Sequence, residues 1–92
     1  MTSTNATFNL NTATSGGAIY SLTHEAASGI TAANATVTLN NTILANSAAT
    51  QDLVVDRRAA AATTSVVNLA ANDIVELRQA NSGGTFSGSP TT

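Results

Sequence analysis

The sequence predicts an all-β fold, a small antiparallel β-sandwich or reduced jelly roll that oligomerisation completes. Apolar and polar residues alternate with a period of two in several short segments, and residue types that favour a half-buried pleated surface, above all Thr, are frequent. The chain has 92 residues, few large apolar side chains and no cysteine. A small domain of this kind needs an additional source of stability, and without disulfides the remaining route is association with other subunits.

The N-terminal third contains two predicted strands separated by a glycine turn. Residues 7–10 alternate Phe8 and Leu10 with polar neighbours, which indicates a short strand. Residues 15–17, Ser-Gly-Gly, predict a turn. Residues 18–25 again alternate with a period of two, so we expect a second strand there.

Residues 36–44 carry the clearest local pattern. Apolar residues alternate with threonines, and Asn40 and Asn41 then precede a second apolar run. Because Asn tolerates left-handed backbone conformations, these two residues predict a two-residue hairpin turn between antiparallel strands. A further strand is expected over residues 51–55.

Residues 65–79 form a second strong unit, in which two apolar segments flank a central turn. A helix over residues 73–79 is the local alternative, because Asp73 followed three residues later by Glu76 resembles a capping box. The alanines of residues 59–62 would also suit a helix. The strand interpretation is preferred at both places.

The whole chain, residues 1–92, is expected to be a single β domain with flexible arms at its two ends. Residues 1–7 and 87–92 consist mainly of small and polar residues, so they cannot build a core of their own. A brief strand over residues 85–87 precedes the C-terminal arm.

Residues 65–78 resemble a stretch of the trimeric jelly-roll family typified by tumour necrosis factor and the complement-type globular heads, which also includes phage and bacterial surface tips. In that family an apolar strand ends in Leu, and a small residue, Gly-Asp and a second apolar strand follow; here Asn72 stands in place of the Gly. Residues 36–44 are similar to the family's strand, turn and strand unit. The resemblance implies an antiparallel jelly roll and a homotrimer, although the family's closing apolar strand has no counterpart here.

A second resemblance points to a different architecture. Residues 16–20, Gly-Gly-Ala-Ile-Tyr, and residues 36–45 are similar to coils of bacterial surface parallel β-helices. Such a solenoid needs roughly three or more similar coils, and residues 51–92 contain no matching repeat. The parallel β-helix is therefore the alternative to the jelly roll.

Composition and charge exclude several function classes. With three Arg, no Lys and a net charge of −2, the chain is not expected to bind nucleic acid through phosphate contacts. No apolar run approaches the roughly 18 residues of a membrane helix, so no membrane partner is expected, and the first residues lack the pattern of a signal peptide. A composition that suits a surface protein but lacks an export signal indicates a virion surface protein assembled in the host cytoplasm.

The titratable residues do not form a recognisable chemical site in the sequence. His24 next to Glu25 could suggest a general base or a metal ligand pair, but no second His, Cys or carboxylate run supports it. Asp52, Asp56 and Asp73 do not follow the spacing of a calcium loop, and Asp73 is better explained as a turn residue that bonds nearby backbone. We expect no catalytic residue, cofactor or metal, and no enzyme activity.

The candidate interface residues are the two adjacent arginines and three apolar side chains. Arg57 and Arg58 are the one cluster of positive charge, and they suit an acidic patch on a neighbouring subunit. The alternative is a solvated loop in which a nearby aspartate pairs with them. Phe8, Tyr20 and Leu77 are the apolar candidates for contacts between subunits.

These observations favour a non-enzymatic structural protein, a phage capsid decoration, cement or head-fibre protein that binds a major capsid or other shell protein as a homotrimer. The alternative is a carbohydrate- or host-surface-binding module, or part of a bacterial surface β-helix protein. Sugar sites commonly use aromatic platforms, and the chain has one Tyr, two Phe and no Trp.

Overall fold

A computed structural model describes residues 1–24, 34–48, 51–58 and 63–91. This part of the chain is built from short strands, and every strand pairing within it is parallel. The strands are β1 (Thr2–Thr4), β2 (Thr7–Asn9), β3 (Ile19–His24), β4 (Asn34–Asn40), β5 (Ile43–Ala45), β6 (Leu53–Arg58), β7 (Thr64–Asn68), β8 (Ile74–Val75), β9 (Arg78–Asn81) and β10 (Thr85–Ser87).

The strands wind into a coil with three sides. Sheet A has the order β1-β4-β7-β10, sheet B the order β2-β5-β8, and sheet C the order β3-β6-β9. Each turn of the coil therefore adds one strand to every sheet, and a fourth turn begins with β10. Thr91 continues that turn by bridging to Ile74 of β8. This arrangement is a parallel β-helix, the architecture that the second resemblance implied.

The expectation of an antiparallel sandwich or jelly roll is wrong. The two strands on either side of Asn41 do not fold back on each other, because β4 belongs to sheet A and β5 to sheet B. Asn41 does adopt the left-handed conformation, with φ of 53°, but it forms a corner of the coil instead of a hairpin turn. Each strand is instead hydrogen-bonded to the strand one turn of the coil away. Because that strand runs in the same direction, the pairing is parallel.

Most of the predicted strand positions are confirmed although their arrangement is not. Strands lie within the segments predicted at residues 7–10, 18–25 and 85–87, and β6 begins within the segment predicted at residues 51–55 but continues to Arg58. The helix considered for residues 73–79 is wrong, since β8 and β9 occupy that stretch, and the alanines of residues 59–62 lie outside the described residues. No helix in the described part of the chain is long and apolar enough to cross a membrane.

The core is a set of apolar columns that run through the turns of the coil. Phe8, Leu44 and Val75 align through sheet B, one above the other. Ile19 and Leu53 align in the same way through sheet C. Inward side chains of successive turns thus contact one another, which buries apolar surface without a second packed sheet. The buried cluster comprises Ile19, Val37, Leu39, Leu44, Leu53, Val55, Val67, Leu69 and Val75, with Phe8, Ala18 and Phe86 packed against it.

Asparagines mark the corners where the coil changes direction. Asn5 and Asn41 occupy the same corner in successive turns, both with positive φ, and the Asn41 side-chain amide donates to Asn5 Oδ1 at 2.7 Å. At the next corner Asn46 also has positive φ, and its amide donates to Asn9 Oδ1 at 3.2 Å. Asparagine side chains of successive turns therefore stack at the corners, in the same way that inward apolar side chains stack within the sheets.

Both ends of the described chain take part in sheets. Thr2–Thr4 pairs with β4, and the Met1 amino group donates to the carbonyl of Thr36 at 2.9 Å. At the other end the Thr91 backbone N–H donates to the Asp73 carbonyl at 2.8 Å. The flexibility of residues 1–7 and 87–92 in solution stays a prediction.

Candidate functional site

The outward side of sheet C carries the most varied chemistry of the three sides. Strand β3 buries alternate residues toward the coil interior, so the intervening ones point outward, and the parallel register carries this alternation into β6 and β9. We call this surface the sheet C face. It comprises Tyr20, Leu22, His24, Val54, Asp56, Arg58, Gln79 and Asn81.

Asp56 lies at the centre of the sheet C face and joins two other side chains. The Tyr20 hydroxyl donates to Asp56 Oδ2 at 2.5 Å, and Arg58 Nε donates to the same oxygen at 2.8 Å. Arg58 Nη2 also donates to the Tyr20 hydroxyl at 3.1 Å, which closes a triangle of hydrogen bonds. Asp56 itself is only 1% exposed, and its second oxygen, Oδ1, is buried without a hydrogen-bond partner.

This triangle holds Asp56 as a carboxylate. Burial works to raise the pKa of Asp56, but the hydrogen bonds from Tyr20 and Arg58, together with the Arg58 charge, outweigh it and lower the pKa. The same bond to Asp56 raises the pKa of the Tyr20 hydroxyl. At neutral pH the face therefore holds a neutral phenol, an ionised carboxylate and a guanidinium.

The two adjacent arginines do not act together. Because they are consecutive in β6, Arg58 points outward while Arg57 points to the coil interior. Arg57 Nη1 donates to the Thr63 carbonyl at 3.3 Å and Nε donates to the Ser82 carbonyl at 3.4 Å. Gly83 leaves room for this guanidinium, since a Cβ there would lie 2.6 Å from Arg57 Nη2. Arg57 thus joins two turns of the coil, and Arg58 alone is available at the surface.

The remaining interface candidates lie in three different environments. Phe8 is half-buried and packs against the core, so it points inward. Tyr20 is 36% exposed on the sheet C face, beside Arg58. Leu77 is 50% exposed and lies between β8 and β9, at the corner of sheets B and C. The structure brings Tyr20 and Arg58 together and leaves the other candidates apart from them.

Two further carboxylates are buried at corners, where they accept hydrogen bonds from backbone N–H groups. Asp73 accepts the N–H of Ala70 at 2.7 Å and the N–H of Thr42, one turn away, at 2.9 Å. Asp52 accepts the N–H of Ser47 and the N–H of Leu77, each at 3.0 Å. Because each carboxylate accepts a backbone N–H from a corner of the neighbouring turn, both hold successive turns together. The predicted bond from Asp73 to nearby backbone is confirmed, whereas the role of Asp52 was missed.

The sheet C face offers little for acid–base or metal chemistry. His24 lies at the end of β3, in register with Arg58, and its sequence neighbour Glu25 is outside the described residues. Within the described part of the chain, no group of His, Cys, Asp or Glu is arranged to hold a metal ion. That part also contains no pocket.

No protein-family model, curated protein or solved structure matches this chain. What the geometry provides is one aromatic ring and one guanidinium at the surface, both bonded to a buried carboxylate on a strand that is paired on both edges.

Replacing Asp73 by Asn should destabilise the coil. The amide retains one acceptor oxygen, so one of the two buried N–H groups that Asp73 now satisfies would face an NH₂ group instead. We expect the free energy of unfolding to fall by about 1–3 kcal/mol in urea denaturation. Glu76→Gln is the matched control, because Glu76 is exposed and the amide can still accept the Asn46 N–H; its expected change is below about 0.5 kcal/mol. Equal losses in the two variants would contradict the structural role of Asp73.

Asp56 should contribute to the acid sensitivity of the fold. Its pKa in the folded protein is lowered from the ordinary 3.8, so its stabilising contribution is present above that value and is lost as the pH falls through the folded-state pKa. Asp56→Asn should therefore flatten the decline in unfolding free energy in the acid range, measured as the difference from the wild type at each pH. Parallel pH profiles for the two proteins would show that the triangle does not favour the ionised form.

Proposed function

We propose that this chain is a non-enzymatic structural protein whose β-helix serves as a rigid spacer in a surface assembly. The support is architectural. Successive turns are joined by backbone pairing on all three sides, by stacked asparagines and by two buried carboxylates. Adjacent turns are therefore held together along the axis of the coil. A virion surface, with a shell protein as partner, is the setting that the composition favours.

The observation that carries the assembly part of this proposal is an exposed apolar ridge on sheet B. Ile43 and Ile74 are in register on adjacent strands and point outward, with 37% and 39% of their surfaces exposed. Leu77 follows at the corner, 50% exposed. We call these three residues the sheet B ridge. Aligned aliphatic side chains at the surface suit burial against another protein surface.

A second copy of the chain is the partner that best fits the sheet B ridge. The interior of the coil is only one side chain deep from each sheet, so the monomer buries few large apolar residues. Covering the ridge would add apolar burial at the place where the monomer lacks it. Three copies around a common axis would give the predicted homotrimer, with the charged sheet C faces left outside.

The β-helix also fits the alternative setting, part of a bacterial surface protein. In that setting the same coil would present its sides to the surroundings while its turns extend the protein away from the cell. The architecture favours a spacer role in both settings, and the oligomeric state distinguishes a self-assembling subunit from a solitary rod.

Sedimentation equilibrium tests the assembly directly. We expect the wild-type chain to sediment with three times its 9.2 kDa mass, and the double variant Ile43→Thr, Ile74→Thr to sediment as a monomer with an unchanged circular dichroism spectrum. Thr preserves the β-branched shape that suits a strand while removing apolar surface.

Leu22→Thr is the matched control, since Leu22 is a similarly exposed aliphatic residue on sheet C. It should remain trimeric. A wild-type chain that is monomeric at high concentration would contradict the homotrimer and favour the solitary rod. A control variant that dissociates like the double variant would contradict the sheet B ridge as the contact surface.

A further inference from the structure

We propose that the outward side of sheet A is an ice-binding surface, a regular array of uncharged side chains that holds water molecules where an ice lattice can continue them. This goes beyond the spacer role and does not depend on it, because sheet A and the sheet B ridge lie on different sides of the coil. Three features support the proposal: an uncharged face, a register that repeats in two directions, and stiff side chains with free hydroxyls.

Sheet A is the widest of the three sheets, and its described outward positions carry no charged side chain. Ser3, Val37 and Val67 point to the coil interior, so the residues that alternate with them point outward. We call this surface the sheet A face. It comprises Thr2, Thr4, Asn34, Thr36, Thr38, Asn40, Thr64, Val66, Asn68, Thr85 and Ser87. The surface of a soluble protein ordinarily mixes charges of both signs, so an uncharged face of this width is unusual.

The sheet A face repeats in two directions. One column of side chains crosses all four strands and consists of Thr2, Thr38, Asn68 and Ser87. A second column, two residues earlier, consists of Thr36, Val66 and Thr85. Neighbouring strands lie about 4.8 Å apart, and alternate residues of one strand lie about 6.6 Å apart. Oxygen atoms on the prism face of hexagonal ice repeat at two spacings near these values, so the two surfaces can match in both directions.

The side chains of the sheet A face are held in place. Thr is branched at Cβ and has restricted rotation about χ1, so the backbone largely fixes where its methyl and hydroxyl groups lie. Two contacts between strands add to this order. The Thr64 hydroxyl donates to Asn34 Oδ1 at 2.7 Å, and the Asn68 side-chain amide donates to Thr38 Oγ1 at 3.4 Å. Water bound to such side chains is ordered by an array that is itself already ordered.

Free hydroxyls provide the contacts with water. Thr2, Thr4, Thr36 and Thr85 are exposed, and within the described part of the chain their hydroxyls have no hydrogen-bond partner. A hydroxyl donates one hydrogen bond and accepts two, so each can hold water in the tetrahedral arrangement that ice also uses. The neighbouring methyl groups restrict the orientation of the water around them. Crystalline polysaccharides are commonly bound by aromatic platforms, and the sheet A face has no aromatic residue, so ice is the solid that it fits.

Ice-affinity partitioning and nanolitre osmometry test this proposal. We expect the wild-type chain to be enriched in slowly grown ice and to lower the freezing temperature below the melting temperature. Thr36→Tyr and Thr38→Tyr each place a ring within the array while keeping a residue that favours strands. Each should reduce enrichment to that of a protein without ice affinity and remove the temperature gap. Leu22→Tyr is the matched control, because it adds the same ring at an exposed position of sheet C, and it should behave like the wild type.

Several results would overturn the proposal. They are a wild-type chain that ice excludes, tyrosine variants of sheet A that keep full activity with unchanged circular dichroism spectra, and a Leu22→Tyr control that loses as much activity as they do. Binding to crystalline cellulose or chitin without binding to ice would also overturn it. The double variant Ile43→Thr, Ile74→Thr leaves sheet A unchanged and should still bind ice, so the ice-binding face and the self-assembly can fail separately.

Discussion

The structure depends on one constraint: each strand must lie in register above the strand one turn earlier. Register is what places Leu44 between Phe8 and Val75 in the core, and it aligns Asn41 with Asn5 at a corner. A slip of one residue would turn the inward column outward and expose it. The buried corner carboxylates oppose such a slip, because Asp73 can accept the Thr42 N–H only when adjacent turns keep their alignment.

The same register creates the sheet C face. It brings Tyr20 of one turn beside β6 of the next, although the sequence separates Tyr20 from Asp56 by 36 residues. The hydrogen-bond triangle is therefore a product of coiling and has no local sequence signature. Its side chains are held by a sheet in which β6 is paired on both edges.

The sequence predicted where strands occur better than how they pair. Period-two alternation is identical in parallel and antiparallel sheets, so residues 36–44 fitted a hairpin as well as a corner. The repeat was also obscured, because the turns of sheet A differ in length: Thr2 aligns with Thr38, Thr38 with Asn68, and Asn68 with Ser87. These steps of 36, 30 and 19 residues leave no constant period to detect. The predicted homotrimer, virion location and shell partner stay predictions.

For the candidate site, the sequence predicted two of the residues but not that they lie in contact. Tyr20 and Arg58 were both predicted as interface residues, and their contact could not be foreseen because it links two turns of the coil. The strand predicted over residues 51–55 stopped one residue short of Asp56, where the apolar run gives way to charged residues. Extending the strand through Arg58 would have placed Asp56 and Arg58 on one face, which is the signal that was available.

The parallel register is tested most directly by disulfide formation in a chain that has no cysteine of its own. In the coil, Thr38 and Asn68 are aligned on adjacent strands, and their side chains lie 3.4 Å apart between Asn68 Nδ2 and Thr38 Oγ1. The variant Thr38→Cys, Asn68→Cys should oxidise readily to an intramolecular disulfide, because aligned neighbours meet the distance that a disulfide requires. A hairpin at Asn41 would instead place Thr38 opposite Ile43, so efficient oxidation of Thr38→Cys, Ile43→Cys without oxidation of the first pair would contradict the parallel coil.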